Sequence, residues 1–489
     1  MYLGLDYGTS EIKALLLDEG GGIVCTHGLP LSIQRPHPQW SEQDAQEWWR
    51  VTNDLMAVMR EKAGSEWGKI RAVGLSGQMH GAVLLGQNDE VLRPVILWND
   101  TRSAAECAEL EAAVPDLHGI TGNLAMPGFT APKLLWVKKH EPEIFVQTAS
   151  VLLPKDYIRF LMTGKKVSEM SDAAGTLWLD TARRGWSDEM LAATGLNRSH
   201  MPELVEGSQV SGRLKADVAA AWGLNENVIV AGGGGDNAAS AVGVGAVNAG
   251  DAFISLGTSG VVFVVNDSYR PAPENAVHCF CHALPGRWHQ MSVMLSAAAC
   301  LSWYCRLTGV KEPELLAEIE ALGAEEKAAA PIFLPYLSGE RTPHNDAHAS
   351  GSFHGIRHSA DRAVMGYAVI EGVAFGIADG VRVLRESGTH IAECTLLGGG
   401  ARSPFWAQLL ADTLKLNIVT RQGGEAGGAL GAARLAALAC GRNEAEVCSK
   451  PPVKRGYTPD AVKAGYLEER YARFRALYQN DSAFRRHYG

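Results

Sequence analysis

The first seventeen residues set a pattern that the chain repeats later. Apolar positions at Leu3, Leu5 and Tyr7 predict a short strand, Gly8, Thr9 and Ser10 make a tight turn, and a second apolar run from Ile12 to Leu17 completes a β-hairpin. Near the middle, Phe253, Ile254 and Leu256 lead into Gly257, Thr258, Ser259 and Gly260, and a run from Val261 to Val265 follows. Both hairpins carry Gly-Thr-Ser at the tip, and the tips stand about half the chain apart. A duplicated domain accounts for this more simply than coincidence does.

Around the hairpins, short apolar strands alternate with stretches whose apolar residues fall at helical spacing. Residues 71–76 and 91–98 predict strands; residues 45–61 and 361–386 predict helices. The apolar run 228–231 enters four consecutive glycines, Gly232 to Gly235, after which residues 238–244 predict a helix. Tyr466, Tyr471, Phe474 and Leu477 share one helical stripe, which predicts a C-terminal helix docked on the body of the protein. The expected fold class is α/β, with two similar domains, each a mixed sheet flanked by helices, and a cleft between them. Their junction is expected at 245–250, dividing the chain into residues 1–245 and 246–489.

Length and composition narrow the function classes. At 489 residues the chain exceeds one ordinary core, and 46% apolar with 20% charged residues excludes wholesale disorder. The 45 Lys and Arg against 54 Asp and Glu give a net charge of −9 without a long block of one sign, which argues against nucleic-acid or membrane-surface partners. Asp6 stands where a signal peptide needs its apolar core, and no stretch of about 20 residues is free of Gly or charge, so a cytoplasmic protein is expected. The 9 cysteines are scattered, which fits reduced thiols better than a disulfide framework. His278, Cys279, Cys281 and His282 are potential metal ligands close in sequence. Strand alternation puts the histidines and the cysteines on opposite faces, so they do not converge on one ion.

The chemistry gathers at the hairpin tips and the glycine run. Two opposed turns, Gly8, Thr9 and Ser10 against Gly257 and Thr258, offer backbone N–H groups and hydroxyls as a grip for a polyphosphate. No G-x-x-x-x-G-K-[ST] occurs, and no G-x-G-x-x-G follows a strand, so the P-loop, dinucleotide and protein-kinase arrangements are excluded. Asp6, at the end of the first strand, is placed to hold a nucleotide's Mg²⁺ directly or through water; the alternative is a carboxylate bonding its own turn. Asp236, opening a helix after the glycines, is a candidate general base kept ionised by the helix N-terminus; the alternative is a plain helix cap.

These residues carry a family resemblance over essentially the whole chain. Asp6-Tyr7-Gly8-Thr9-Ser10, Ser76-Gly77-Gln78-Met79-His80-Gly81, Leu97-Trp98-Asn99-Asp100-Thr101-Arg102 and Gly128-Phe129-Thr130-Ala131-Pro132-Lys133 are its first-half motifs. The second half adds Gly235-Asp236-Asn237, Leu256-Gly257-Thr258-Ser259-Gly260, Tyr336-Leu337-Ser338-Gly339-Glu340-Arg341-Thr342-Pro343-His344 and Gly398-Gly399-Gly400-Ala401. The sequence resembles the FGGY carbohydrate kinases, within the actin, Hsp70 and hexokinase superfamily of ribonuclease H-like, actin-like ATPase domains. The resemblance implies ATP-dependent phosphorylation of D-xylulose to D-xylulose 5-phosphate with Mg²⁺, by in-line transfer. It implies Asp236 as the catalytic base, and Gln78, Met79, His80 and Asn237 on the ketose. Trp98, Asp100 and Arg102 are implied in the sugar-side wall, Gly399, Gly400 and Ala401 in the adenosine-binding turn, and residues 425–431 in its adjoining wall. The sugar is expected in the N-terminal half and the nucleotide in the C-terminal half, and relatives are often homodimers. One departure is the fourth glycine before Asp236, which bears on how that carboxylate is placed.

Three rivals share parts of this pattern. The same chemistry on ribulose, glycerol or gluconate differs only in pocket contacts that sequence does not position. An actin- or Hsp70-like ATPase switch uses the paired turns but has no need of Gln78, Met79, His80 or Asp236. A sugar-binding regulator has no use for a base aimed at a transferable phosphate.

Overall fold

The computed structural model describes residues 1–423 and 427–488. Two sheets organise the chain, and six of their strands lie in the same spatial arrangement, although the outer edge strand precedes its neighbour in the first sheet and follows it in the second. In the first, Val210–Arg213, Ile229–Ala231, Ala72–Gly77, Tyr2–Tyr7, Glu11–Leu17 and Ile23–Pro30 lie side by side. In the second, Val453–Tyr457, Asn417–Arg421, Glu393–Leu397, Asp251–Leu256, Gly260–Asn266 and Trp288–Met294 follow the same order, and His278–Cys281 extends the far edge. Each sheet has an antiparallel hairpin at its centre, two parallel strands beside it, and an antiparallel strand at the outer edge. The repeated Gly-Thr-Ser hairpins are thus the matching central elements of a duplicated α/β unit.

The predicted helices form where apolar spacing placed them, as Ala45–Ala63 and Arg362–Glu386. Asp44 caps the first through Gln46 N, and Asp361 caps the second through Val364 N. Arg362–Glu386 is long and apolar enough to cross a membrane, but 94% of its most apolar window is buried inside the protein. It is the central helix of the second core, packed on residues such as Phe333, Trp406 and Leu410. The C-terminal helix Ala461–Tyr488 docks on this same core: Phe474 is fully buried, Tyr471 donates to Asp379 at 2.6 Å, and Arg470 pairs with buried Glu371.

The expected strand at 91–98 is corrected. Only Val95–Ile96 pairs regularly, because Pro94 has no N–H to give a ladder; Val91 contributes an isolated bridge to Leu85. All 9 cysteines are free thiols. The His278–Cys281 strand is buried throughout, and its rings pack against Phe129 of the first half.

One helix crosses between the repeats. Gly427–Ala439 lies in sequence between two strands of the second sheet, Asn417–Arg421 and Val453–Tyr457, yet packs on the first, pressed against the strands Tyr2–Tyr7 and Ala72–Gly77 and the helix Asp236–Val244. Its approach is close enough that a Cβ on Gly4 would collide with the Ala429 carbonyl, and one on Gly431 with the Ala239 carbonyl.

Candidate active site

The site is built at the rim where parallel strands of the first sheet end. Register places Asp6 beside Ser76 and Tyr7 beside Gly77, while Gly234 and Gly235 pair with Ser76 and Gly77 from the other side. Asp6, Ser76 and Gly234 therefore form one row across three strands, and Asp236 begins its helix two residues beyond that row. Ser76 Oγ donates to Asp6 Oδ1 at 2.8 Å.

Three of the four glycines have a steric cause. A side chain on Gly232 would strike the Glu206 carbonyl; Gly233 has φ of 81° and faces the Leu75 carbonyl; Gly235 lies against Met79, whose Sδ would be 3.0 Å from a Cβ. The run is a strand-to-helix crossing held on both sides, so the extra glycine does not loosen the placement of Asp236. Gly235 N–H is further fixed by Ser171 Oγ at 3.0 Å, and the Gly232 carbonyl accepts from the Arg159 guanidinium.

Asp236 Oδ1 accepts from Asn237 N at 2.7 Å and from Asn237 Nδ2 at 3.0 Å. Burial, with the nearby Asp6 charge adding to it, pushes Asp236 up to about 6 against those hydrogen bonds. Desolvation outweighs the favourable helix terminus, and the group is poised just below neutrality, still mostly ionised at pH 7. Burial also raises Asp6, with Ser76 opposing.

His80 follows with a backbone φ of 70°, a left-handed conformation that a residue with Cβ adopts only when held there. Its carbonyl is gripped by Lys133 Nζ at 2.8 Å and Thr130 Oγ1 at 3.2 Å. Nδ1 meets the Gly175 carbonyl at 2.6 Å, so Nδ1 carries the hydrogen and Nε2 presents a lone pair. Burial drives His80 down to about 3, so the ring stays neutral. Met79 packs between Gly175 and Gly235 beside it.

Several expected site residues turn out to be supports. Gln78 is buried, with its amide taken by Thr9 Oγ1 at 3.1 Å and Gln43 Oε1 at 2.8 Å, so it braces the first hairpin tip. Asp100 and Arg102 are committed to each other at 2.7 Å. Asp100 also accepts from Ser41 N, and Arg102 lies 3.6 Å over the Trp40 ring and pairs with Glu42. Closed off in this way they line no accessible wall; they hold the loop that carries Trp98. Trp98 itself is 43% exposed and donates Nε1 to Thr9 Oγ1 at 2.9 Å.

On the other lobe, Thr258 and Ser259 are exposed, and the helix Ala298–Thr308 hangs from their turn through Ala298 N to the Gly257 carbonyl at 2.8 Å. Gly398 has φ of 84° and, with Gly400, packs against Leu256 just ahead of that tip; a Cβ on Gly399 would meet open space. The second tip and the glycine turn therefore share one edge. Of the expected adenosine wall, residues 425 and 426 lie outside the described residues, and Gly427–Gly431 belong to the crossing helix. Gly428 is pressed under Asp6 and Ser76, where a Cβ would come 2.8 Å from Asp6 Cγ, so this glycine makes room for the Asp6 row.

Asp6 with Asp236 nearby suits Mg²⁺, a hard cation that takes one or two carboxylates and fills the rest of its shell with water and phosphate oxygens. Among the described residues no group of three or more His, Cys, Asp or Glu side chains is arranged to hold a metal ion.

Sequence reasoning missed the buried charges behind the glycines. Lys155 contacts Asp156 at 2.8 Å, Asp172 at 2.9 Å and Glu169 at 3.4 Å, and Arg159 pairs with Asp156. Lys133 was also missed as the clamp on His80. Charged residues in a sequence read as solvated, so only the neighbouring motif at 128–133 offered a signal.

The FGGY carbohydrate kinase N-terminal domain matches residues 1–243, and the C-terminal domain of the same family matches residues 252–440. The chain is 52% identical over 482 residues to the xylulose kinase of Escherichia coli (strain K12), covering 98% of this chain and 99% of that protein. Among solved structures, a xyloylose kinase from Brucella ovis superposes with a TM-score of 0.96 at 50% identity, covering 99% of each chain. The xylulose kinase from Rhodospirillum rubrum does so with 0.91 at 29% identity, again over 99% of each. The duplicated sheets, the carboxylate row at their rim and these matches agree: the chain belongs to the FGGY family of carbohydrate kinases.

Proposed function

We propose that this protein is an ATP-dependent xylulose kinase, with Asp236 as general base. The observation that carries the reading is Asp236 itself, a partly buried carboxylate opening a helix beside the Asp6 row and the Met79-His80 segment. Its free oxygen, Oδ2, takes the proton from the sugar hydroxyl as that oxygen attacks the terminal phosphorus of ATP. His80 accepts a hydrogen bond from the sugar at Nε2, and Met79 and Asn237 flank it. Residues 1–245 supply the sugar side. Residues 246–489 supply the nucleotide side, with Gly257 and Thr258 toward the phosphates and Gly399, Gly400 and Ala401 toward adenosine; Gly8, Thr9 and Ser10 face them from the first half. Asp6 would hold Mg²⁺, whose chemistry is to neutralise phosphate charge during transfer. Apposition of the halves keeps water from competing as acceptor.

An ADP-release assay across D-xylulose, D-ribulose, glycerol and gluconate tests the reading. D-xylulose should give the highest kcat/KM, and ADP release that needs no sugar would overturn it. A second expectation concerns pH. A base must be ionised, so kcat/KM for the sugar should fall about tenfold per unit below pH 6 and level off above neutrality. A profile flat from pH 5 to 8 removes Asp236 from that role.

A further inference from the structure

The second half sends one cation toward the sugar side, with its sequence neighbour Glu340 as the carboxyl that acts on it. Arg341 sits in a loop strapped to the sheet edge. Thr342 N donates to the Val293 carbonyl at 3.0 Å, Thr342 Oγ1 receives Val293 N at 3.0 Å, and Thr342 Oγ1 donates to the Ala276 carbonyl at 2.9 Å. The neighbouring Glu340 is turned back onto the main chain, accepting from Leu295 N at 2.9 Å and Arg341 N at 2.7 Å. Burial pushes Glu340 up to about 8, which leaves it mostly uncharged at neutral pH.

The only side chain that holds the guanidinium among the described residues is an imidazole: Arg341 Nη1 meets His278 Nε2 at 3.3 Å. Its polarity can be worked out from Asn123. Asn123 Nδ2 donates to the Thr121 and Cys279 carbonyls at 2.9 and 3.0 Å, and Oδ1 accepts from Cys279 N at 3.3 Å, which fixes the amide. His278 Nδ1, 2.9 Å from Asn123 Oδ1, must therefore carry the hydrogen, and Nε2 accepts from Arg341. The ring is neutral, because burial and then the Arg341 charge hold it well below its usual range. A neutral acceptor orients a guanidinium but does not discharge it. A partly desolvated guanidinium whose fork is held by one neutral acceptor, with Glu340 turned onto the main chain, has donors left for a ligand to complete.

The charge also has an address. After burial and Lys133, Arg341 lowers His80, whereas the influences raising Asp236 are burial and Asp6. Phe129 bridges His80 and His278, with ring centroids 4.7 and 5.6 Å away. Arg341 thus joins, through His278 and Phe129, the cluster of rings that surrounds His80.

The geometry points to Arg341 as a specificity-determining residue that donates to the carbonyl and hydroxyl oxygens at the ketose end of the sugar, remote from the hydroxyl facing Asp236. This rests on the ketose-kinase reading. It also makes the sugar a bridge, since His80 belongs to the first half and Arg341 to the second.

The test compares D-xylulose with 1-deoxy-D-xylulose, which lacks one of those oxygens, in wild type, Arg341→Met and Arg341→Lys. Wild type should prefer D-xylulose by at least about tenfold. Arg341→Met should lose about 10²-fold in kcat/KM on D-xylulose, chiefly through KM, and shrink the preference toward one, with MgATP KM and melting temperature near wild type. Arg341→Lys keeps the charge without the fork and should fall between; it carries the comparison if the Met variant does not fold. Equal losses on the two sugars, or a loss confined to MgATP, would overturn the assignment. Wild type without ketose phosphorylation would instead overturn the kinase reading beneath it.

Discussion

Asp236→Asn should lower sugar-dependent ADP release by at least about 10²-fold while MgATP binding stays near wild type. The substitution is nearly isosteric and can keep the hydrogen bonds from Asn237 N and Nδ2 to Oδ1, so the turn held by Ser171 and Arg159 has no reason to move. What goes is the ability to take a proton. It also removes a negative charge next to Asp6, so nucleotide affinity should be unchanged or slightly better, the opposite of what a damaged fold gives. Measuring turnover with D-xylulose alongside MgATP affinity by titration separates the two. Turnover within a few-fold of wild type would remove Asp236 as the base and leave the site without a proton acceptor at the sugar.

How much of this was legible in the sequence depends on how local each signal is. The hairpins at Gly8 and Gly257 and the helices at 45–63 and 362–386 follow from short-range periodicity, and the structure forms them within a residue or two of their expected ends. Asp236 and His80 stood out because glycines and a motif surround them. The misreadings share one cause, which is partners far away in the chain. Asp100 looked available until Ser41, Glu42 and Trp40 closed over it and Arg102, and Gln78 looked like a sugar contact until Gln43 and Thr9 took its amide. The glycines after 427 looked like a nucleotide wall because nothing nearby in sequence says that their helix crosses back to the first sheet.

Lys155→Met should be the most destabilising of the substitutions considered, by about 3–5 kcal/mol, because it removes one partner of a fully buried ionic cluster. The cluster holds two cations, Lys155 and Arg159, among three carboxyl groups, Asp156, Glu169 and Asp172, so it balances only while Asp172 stays mostly protonated, and losing either cation leaves it short of positive charge. Burial accordingly holds Asp172 far above the usual carboxylate range, while Lys155 is raised by the surrounding carboxylates in spite of its own burial. Methionine fills similar space, so the loss is electrostatic and not a cavity. The damage also has a route to catalysis. Glu169 receives Ser171 Oγ at 2.9 Å, and Ser171 Oγ receives Gly235 N–H, one residue ahead of the base. Urea denaturation should show the lost stability, and kcat should fall with KM for MgATP unchanged. Adding Asp172→Asn to Lys155→Met removes one orphaned carboxylate and should restore part of the stability. If Lys155→Met alone unfolds at the wild-type urea midpoint, the cluster does not stabilise the wall behind Asp236, and the tight glycine crossing must hold the base unaided.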